Sequence, residues 1–170
     1  MIIDRGKPTD RDALPLFTKK RGWIENEQRA EVPHEILSAS VMSFERSHPE
    51  AVLRSISHTY NCIGLAFASR RTFIDPDQLD KIFQEDRYRI LGETERPQTG
   101  DMVVYKNNLR EALHIGIITC VTTNVDPSKP PYDIMVLSKW GPWGEYLHRI
   151  DYVPDALGTP QEYWTERQSV

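Results

Sequence analysis

The sequence predicts an α+β fold, with N-terminal helices packed on a small antiparallel sheet of about four to five strands. Two observations predict it. Up to about residue 85, apolar residues recur at helical spacing, as at Ile36, Leu37, Val41 and Phe44 and again at Leu79, Ile82 and Phe83. From about residue 100 the chain passes into β-rich runs separated by short turns. Helices followed by strands, rather than alternating with them, imply segregated layers and antiparallel pairing.

The chain has 170 residues, which favours one domain with a core of its own. We divide it into an N-terminal arm, residues 1–30, and a single domain, residues 31–170. The net charge is −4 and no basic run stands out, which argues against nucleic acid as a partner. The start, Met1-Ile2-Ile3-Asp4-Arg5-Gly6-Lys7, lacks the apolar stretch of a signal peptide, and no segment approaches a membrane span in length. The expected compartment is the cytoplasm, with export by a route that needs no cleaved signal left open. Cys62 and Cys120 could form one disulfide, but nothing calls for it.

The arm is polar, with Leu14, Leu16, Phe17, Trp23 and Ile24 scattered without period. It reads as an irregular lead-in anchored by Trp23, and as a surface that could dock a protein partner or cover a cleft. Pro33 sits where a helix can begin, and the pattern carries that helix to about Ser47 before Pro49 breaks it. Residues 51–57, with Val52, Leu53 and Ile56 on one face, lead into the next helix. Asn61 is a good N-cap for it, and Ile63, Leu65, Ala66 and Phe67 enclose it. Asp75-Pro76 restarts the chain in a third helix. Residues 87–91 read as a short strand. Gly100-Asp101 is a turn before the strand Met102-Val103-Val104-Tyr105, and Asn107-Asn108 is the next turn. Further strands cover 112–121, 132–140 and 145–150, the last two joined by the tight turn at 141–144. The tail is expected to hold a short helical stretch at about 161–165.

Chemistry centres on Cys62. A thiol at a helix start feels the positive end of the helix dipole and unpaired amides, which favour thiolate and can hold an oxyanion. The plainer reading is a small buried hydrophobe. On its strand, His114 shares a face with Gly116, which removes a side chain next to the imidazole and leaves room for close approach. The plainer reading there is a core histidine satisfied by a carbonyl. Ser138 interrupts an apolar strand face formed with Ile134, Val136 and Trp140. If the two strands are neighbours, Ser138 can accept the imidazole N–H and fix its tautomer. Lys139 points the other way and reads as a solvated residue. Tyr60 and Asn61 border the thiol, and Trp140 or Trp143 could wall a pocket. His58 or His148 could replace His114. His58, Cys62, His114 and Cys120 lack the paired spacing of a zinc site, so neither metal nor cofactor is expected.

Tyr60-Asn61-Cys62-Ile63-Gly64-Leu65, Pro97-Gln98-Thr99-Gly100-Asp101-Met102-Val103-Val104-Tyr105 and His114-Ile115-Gly116-Ile117 resemble the NlpC-type and CHAP-type cysteine peptidases. The resemblance covers roughly residues 58–150. It implies a papain-like NlpC-type fold, with a nucleophilic Cys at a helix start, a Gly-Asp turn opening the sheet and a catalytic His on a following strand. Asn61 and Ile63 stand where cell-wall members of the family carry Asp and Ser. The implied activity is a thiol hydrolase, a peptidase or amidase, acting on a peptide or amide other than the standard cell-wall peptide. Catalysis is assigned to Cys62, His114 and Ser138, and substrate binding to Tyr60, Asn61 and Trp140. Two alternatives use the same residues: an acyltransferase or transamidase, and a binding protein that has lost the chemistry.

Overall fold

The protein is described by a computed structural model over residues 13–141 and 144–168. In chain order the elements are β1 (Asn26–Glu27), α1 (His34–Ser47), β2 (Val52–Ile56), α2 (Cys62–Phe67) and β3 (Phe73–Ile74). They continue with α3 (Leu79–Glu85), β4 (Arg89–Ile90), β5 (Met102–Lys106), β6 (Ala112–Thr123), β7 (Tyr132–Trp140), β8 (Gly144–Arg149) and β9 (Thr159–Thr165). Seven strands form one antiparallel sheet in the order β2-β8-β7-β6-β5-β9-β4, and β1 pairs with β3 apart from it.

The fold is α+β, but the expected small sheet of four to five strands under N-terminal helices, in the papain-like NlpC-type arrangement, is not what forms. Among the described residues only three α-helices occur, of 14, 6 and 7 residues, against seven strands in the main sheet. Two segments account for the difference. Residues 52–56 are a strand paired with β8, although Val52, Leu53 and Ile56 also fit a helical face. Their β-branched residues favour the extended chain once a partner edge is present. Residues 159–165, which include the stretch 161–165 expected to be helical, form β9 between β5 and β4. That segment alternates poorly because most of its side chains are only half-buried, so backbone pairing decides its state.

The sheet is covered on both sides. Met102, Val104, Ile115 and Ile117 face Ile63, Ala66, Phe67, Leu79, Ile82 and Phe83 from the short helices. Val103, Tyr105, Ile134 and Val136 form the opposite side with Ile150, Val153 and Tyr163. That side continues at Trp140 and Tyr146, against which Phe44 of α1 packs. Gly116 lies where β6 and β7 pack tightly, for an added Cβ would stand 2.3 Å from Val136 Cγ1. The room beside His114 that glycine provides is therefore filled by the neighbouring strand.

The described part of the arm lies on α3. Ile24 enters the core beside Ile82 and Phe83, while its neighbour Trp23 packs edge-on against Phe17 with ring centroids 5.4 Å apart. Thr18 hydrogen-bonds Glu85, and Lys19 pairs with Glu166 at 3.0 Å. Residues 1–12 of the arm, and Trp143 and Pro142 of the tight turn, lie outside the described residues. Among the described residues no helix is long and apolar enough to cross a membrane.

Candidate active site

Asn61 starts α2. Its Oδ1 accepts the Gly64 N–H at 2.9 Å, which caps the first turn. The same oxygen accepts the Ile74 N–H at 3.2 Å, and Nδ2 donates to the Ile74 carbonyl at 2.7 Å. Asn61 is thus occupied in tying α2 to β3 rather than facing a ligand. Gly64 allows this approach, since a Cβ there would stand 2.0 Å from the Thr72 carbonyl oxygen. Asn61→Ala is expected to lower stability by about 1–3 kcal/mol, because it removes a cap and leaves buried Ile74 backbone groups without partners. A urea midpoint within a few tenths of a molar of the parent would contradict this.

Cys62 is half-buried and free of any disulfide. With His114, Leu113, Ile115, Leu79 and Asp77 it lines a cavity of about 330 Å³. Pairing between β6 and β7 begins at Gly116 and Ser138, so Ile115 lies just beyond the ladder. Its backbone N–H points to the sulphur instead, as do those of Ile63 and Cys62 itself. Burial pushes the thiol above its ordinary value, while these amides and the charge of Lys139 act in the opposite direction.

His114 is 4 % exposed and packs against Tyr105, ring centroids 5.4 Å apart. Strand alternation gives its ring the Tyr105 side of β6, whereas Ile115 turns toward α2. Burial, with a smaller contribution from the charge of His148, pushes the imidazole down to about 3, so it is neutral at ordinary pH. Its Nε2 is buried without a hydrogen-bond partner among the described residues. No hydrogen bond joins it to Cys62 or to Ser138.

Ser138 instead serves His148. Nδ1–H of His148 donates to the Arg149 carbonyl at 2.7 Å, which leaves Nε2 to accept from the Ser138 hydroxyl at 2.8 Å. The Trp140 indole N–H donates to the same Ser138 oxygen at 3.1 Å. Trp140 is fully buried and stacks on Tyr146 at 4.3 Å. The structure therefore brings Asn61, Cys62 and the His114 position of β6 to one cavity, turns the His114 ring to the other face of the sheet, and builds Ser138 and Trp140 into a separate buried cluster. Among the described residues no group of three or more His, Cys, Asp or Glu side chains is placed to hold a metal ion.

Lys139, read from the sequence as solvated, is buried at 1 % exposure. Its Nζ donates to the Ser57 carbonyl at 2.6 Å and stands 4.9 Å over the Tyr60 ring. Directly across the ladder is Glu145, also buried. Arg70 grips Glu145 with two bonds, 2.7 and 2.9 Å, and the Tyr60 hydroxyl donates to it at 2.9 Å. Burial alone would raise the Glu145 carboxyl, but Arg70 and Tyr60 hold it below its ordinary value. Burial pushes Lys139 down to about 7, against the pull of Glu145, Glu31 and Cys62. Ser69 and Arg70 both take left-handed backbone, φ 50° and 66°, at the turn that presents the guanidinium. The burial of Lys139 and Glu145 was missed because the strands that carry them are covered on both sides, and Arg70 was missed because only the turn at residues 69–70 brings it to Glu145.

Comparison with known proteins finds no family model that matches the chain, and neither a curated protein nor a solved structure matches it significantly.

Proposed function

We propose that the protein is a thiol hydrolase of peptide or amide bonds, with Cys62 as nucleophile and His114 as proton carrier. One observation carries this reading: the half-buried Cys62 thiol lines a cavity whose wall includes the His114 position of β6. The motif resemblance to NlpC-type cysteine peptidases supports the chemistry without the fold. The resting pair is neutral, since burial raises the thiol and lowers the imidazole. The proton then moves during attack rather than before it. The Cys62 sulphur bonds to the carbonyl carbon while His114 takes the S–H proton. The C–N bond breaks and His114 returns the proton to the leaving amine. Water, deprotonated by His114, opens the thioester to a carboxylic acid and restores the thiol. The amides of Cys62 and Ile115 are the donors nearest the developing oxyanion. The His114 ring faces the Tyr105 side of β6 in the resting fold, so substrate binding has to turn this end of β6 to bring the imidazole to the thiol.

A panel of fluorogenic peptide and amide substrates tests this in a Cys120→Ser background. Cys62→Ala and His114→Ala are each expected to abolish turnover with the circular dichroism spectrum unchanged. Turnover retained in Cys62→Ala would remove the reading. Release of the acyl group to an added amine instead of water would recast the enzyme as an acyltransferase. A second reading, a binding protein without chemistry, is favoured by the upward push on the Cys62 thiol, and a panel wholly inert with the parent protein would support it.

A further inference from the structure

We propose that Lys139 is a positioning residue for Cys62: its buried ammonium, held in place by the Ser57 carbonyl, the Tyr60 ring and Glu145, stabilises negative charge on the sulphur. The proposal extends the reading of Cys62 as the reactive group. Its ground is the register of the sheet. The last paired residues of β6 and β7 are Gly116 and Ser138, so the next positions outward are Ile115 on one strand and Lys139 on the other. The Ile115 N–H already reaches the Cys62 sulphur. Lys139 stands across the same opening, on the side of β7 that alternation gives to Leu137 rather than to Ser138 and Trp140. Its Nζ is anchored over the ring of Tyr60, two residues before Cys62.

The surroundings are arranged to keep that ammonium in place. Among the described residues, the groups facing it include Glu145 across the ladder, Glu31 from the arm side, Arg70 behind Glu145, and the Tyr60 ring and Ser57 carbonyl from the segment before α2. Glu31 reaches Ser57 and the His58 N–H from the surface. Burying an ammonium and a carboxylate side by side is expensive, and an apolar pair of similar volume commonly serves packing as well or better. A purely structural role would therefore not need the charge. A role toward the thiol would, because the positive charge of Lys139 favours the ionised form of the sulphur.

The test is the rate of Cys62 alkylation by iodoacetamide against pH, in the full chain carrying Cys120→Ser. Lys139→Met is expected to move the midpoint upward by about one pH unit or more, which is roughly a tenfold slower reaction at any pH below it. Lys139→Arg is expected to stay near the parent. Should Lys139→Met fail to fold, Lys139→Gln makes the same comparison with a polar neutral chain. A neutral variant that titrates with the parent overturns the proposal, as does an Arg variant that titrates with the Met variant. Alkylation needs no substrate. A parent protein with no turnover would thus defeat the hydrolase reading while leaving the lysine's effect on the thiol measurable.

Discussion

Glu145→Ala is expected to cost about 3–5 kcal/mol of folding stability, the usual penalty for removing one partner of a buried charge cluster. The carboxylate is buried, and both its oxygens are used. Without it the Tyr60 hydroxyl loses its acceptor at that end, Arg70 loses two charge-assisted bonds, and Lys139 loses the facing carboxylate that favours its charged form. Arg70→Ala should cost less, because its side chain is 46 % exposed and the lost Coulomb energy is screened by water. Glu145→Gln should fall between them, since the amide keeps the shape but not the charge. Urea denaturation of the three variants gives the order directly. A loss below about 1 kcal/mol for Glu145→Ala would mean that water enters the cluster freely.

Acid should destabilise the fold well before its carboxylates titrate. His114 is pushed down to about 3 and His148 to about 4, in each case chiefly by burial. In the unfolded chain both would titrate near 6.5. Above that value neither state binds the proton, and the histidines exact no penalty. As pH falls from about 6.5 toward 4, the unfolded chain takes up two protons that the folded protein refuses, so stability falls with a slope approaching two protons. Each unit of depression is worth about 1.4 kcal/mol, so the pair amounts to several kcal/mol in total. Loss of the lowered carboxylate of Glu145 adds to this only at lower pH, below the ordinary carboxylate range. Urea midpoints between about pH 6 and 4.5 isolate the histidines, since Lys139, pushed down to about 7, is already charged in the fold there. A flat profile there would show that both rings accept protons inside the fold. A slope halved in His148→Asn would divide the effect between them.

Much of the local structure is written plainly in the sequence. Asn61 caps α2 as its side-chain chemistry requires, the Asp75-Pro76 start leads through a short turn into α3, and the strand read at residues 132–140 matches β7. What is not legible there is decided by partners far along the chain. Whether residues 52–56 coil or extend depends on β8, about ninety positions away. The tail becomes a strand only because β5 and β4 offer it edges. The site follows the same rule. The thiol and its capping residue are local and readable. The side of the sheet to which His114 turns, and the burial of Lys139 and Glu145, are set by strand order. Ser138 needed a partner, as a hydroxyl in an apolar strand does, and found His148 on β8 rather than His114 on β6.

The position of β9 has a consequence for how the chain is made. It is a late segment, yet it lies inside the sheet between β5 and β4. During synthesis, β5 to β8 can emerge and begin to pair, but β5 keeps an open edge until residue 165 has cleared the ribosome. β2, waiting for β8, is exposed for longer still. A topology with so many distant pairings folds slowly, and its unfinished edges invite association with other nascent chains. β5 gains its second neighbour only when the last strand slides into place.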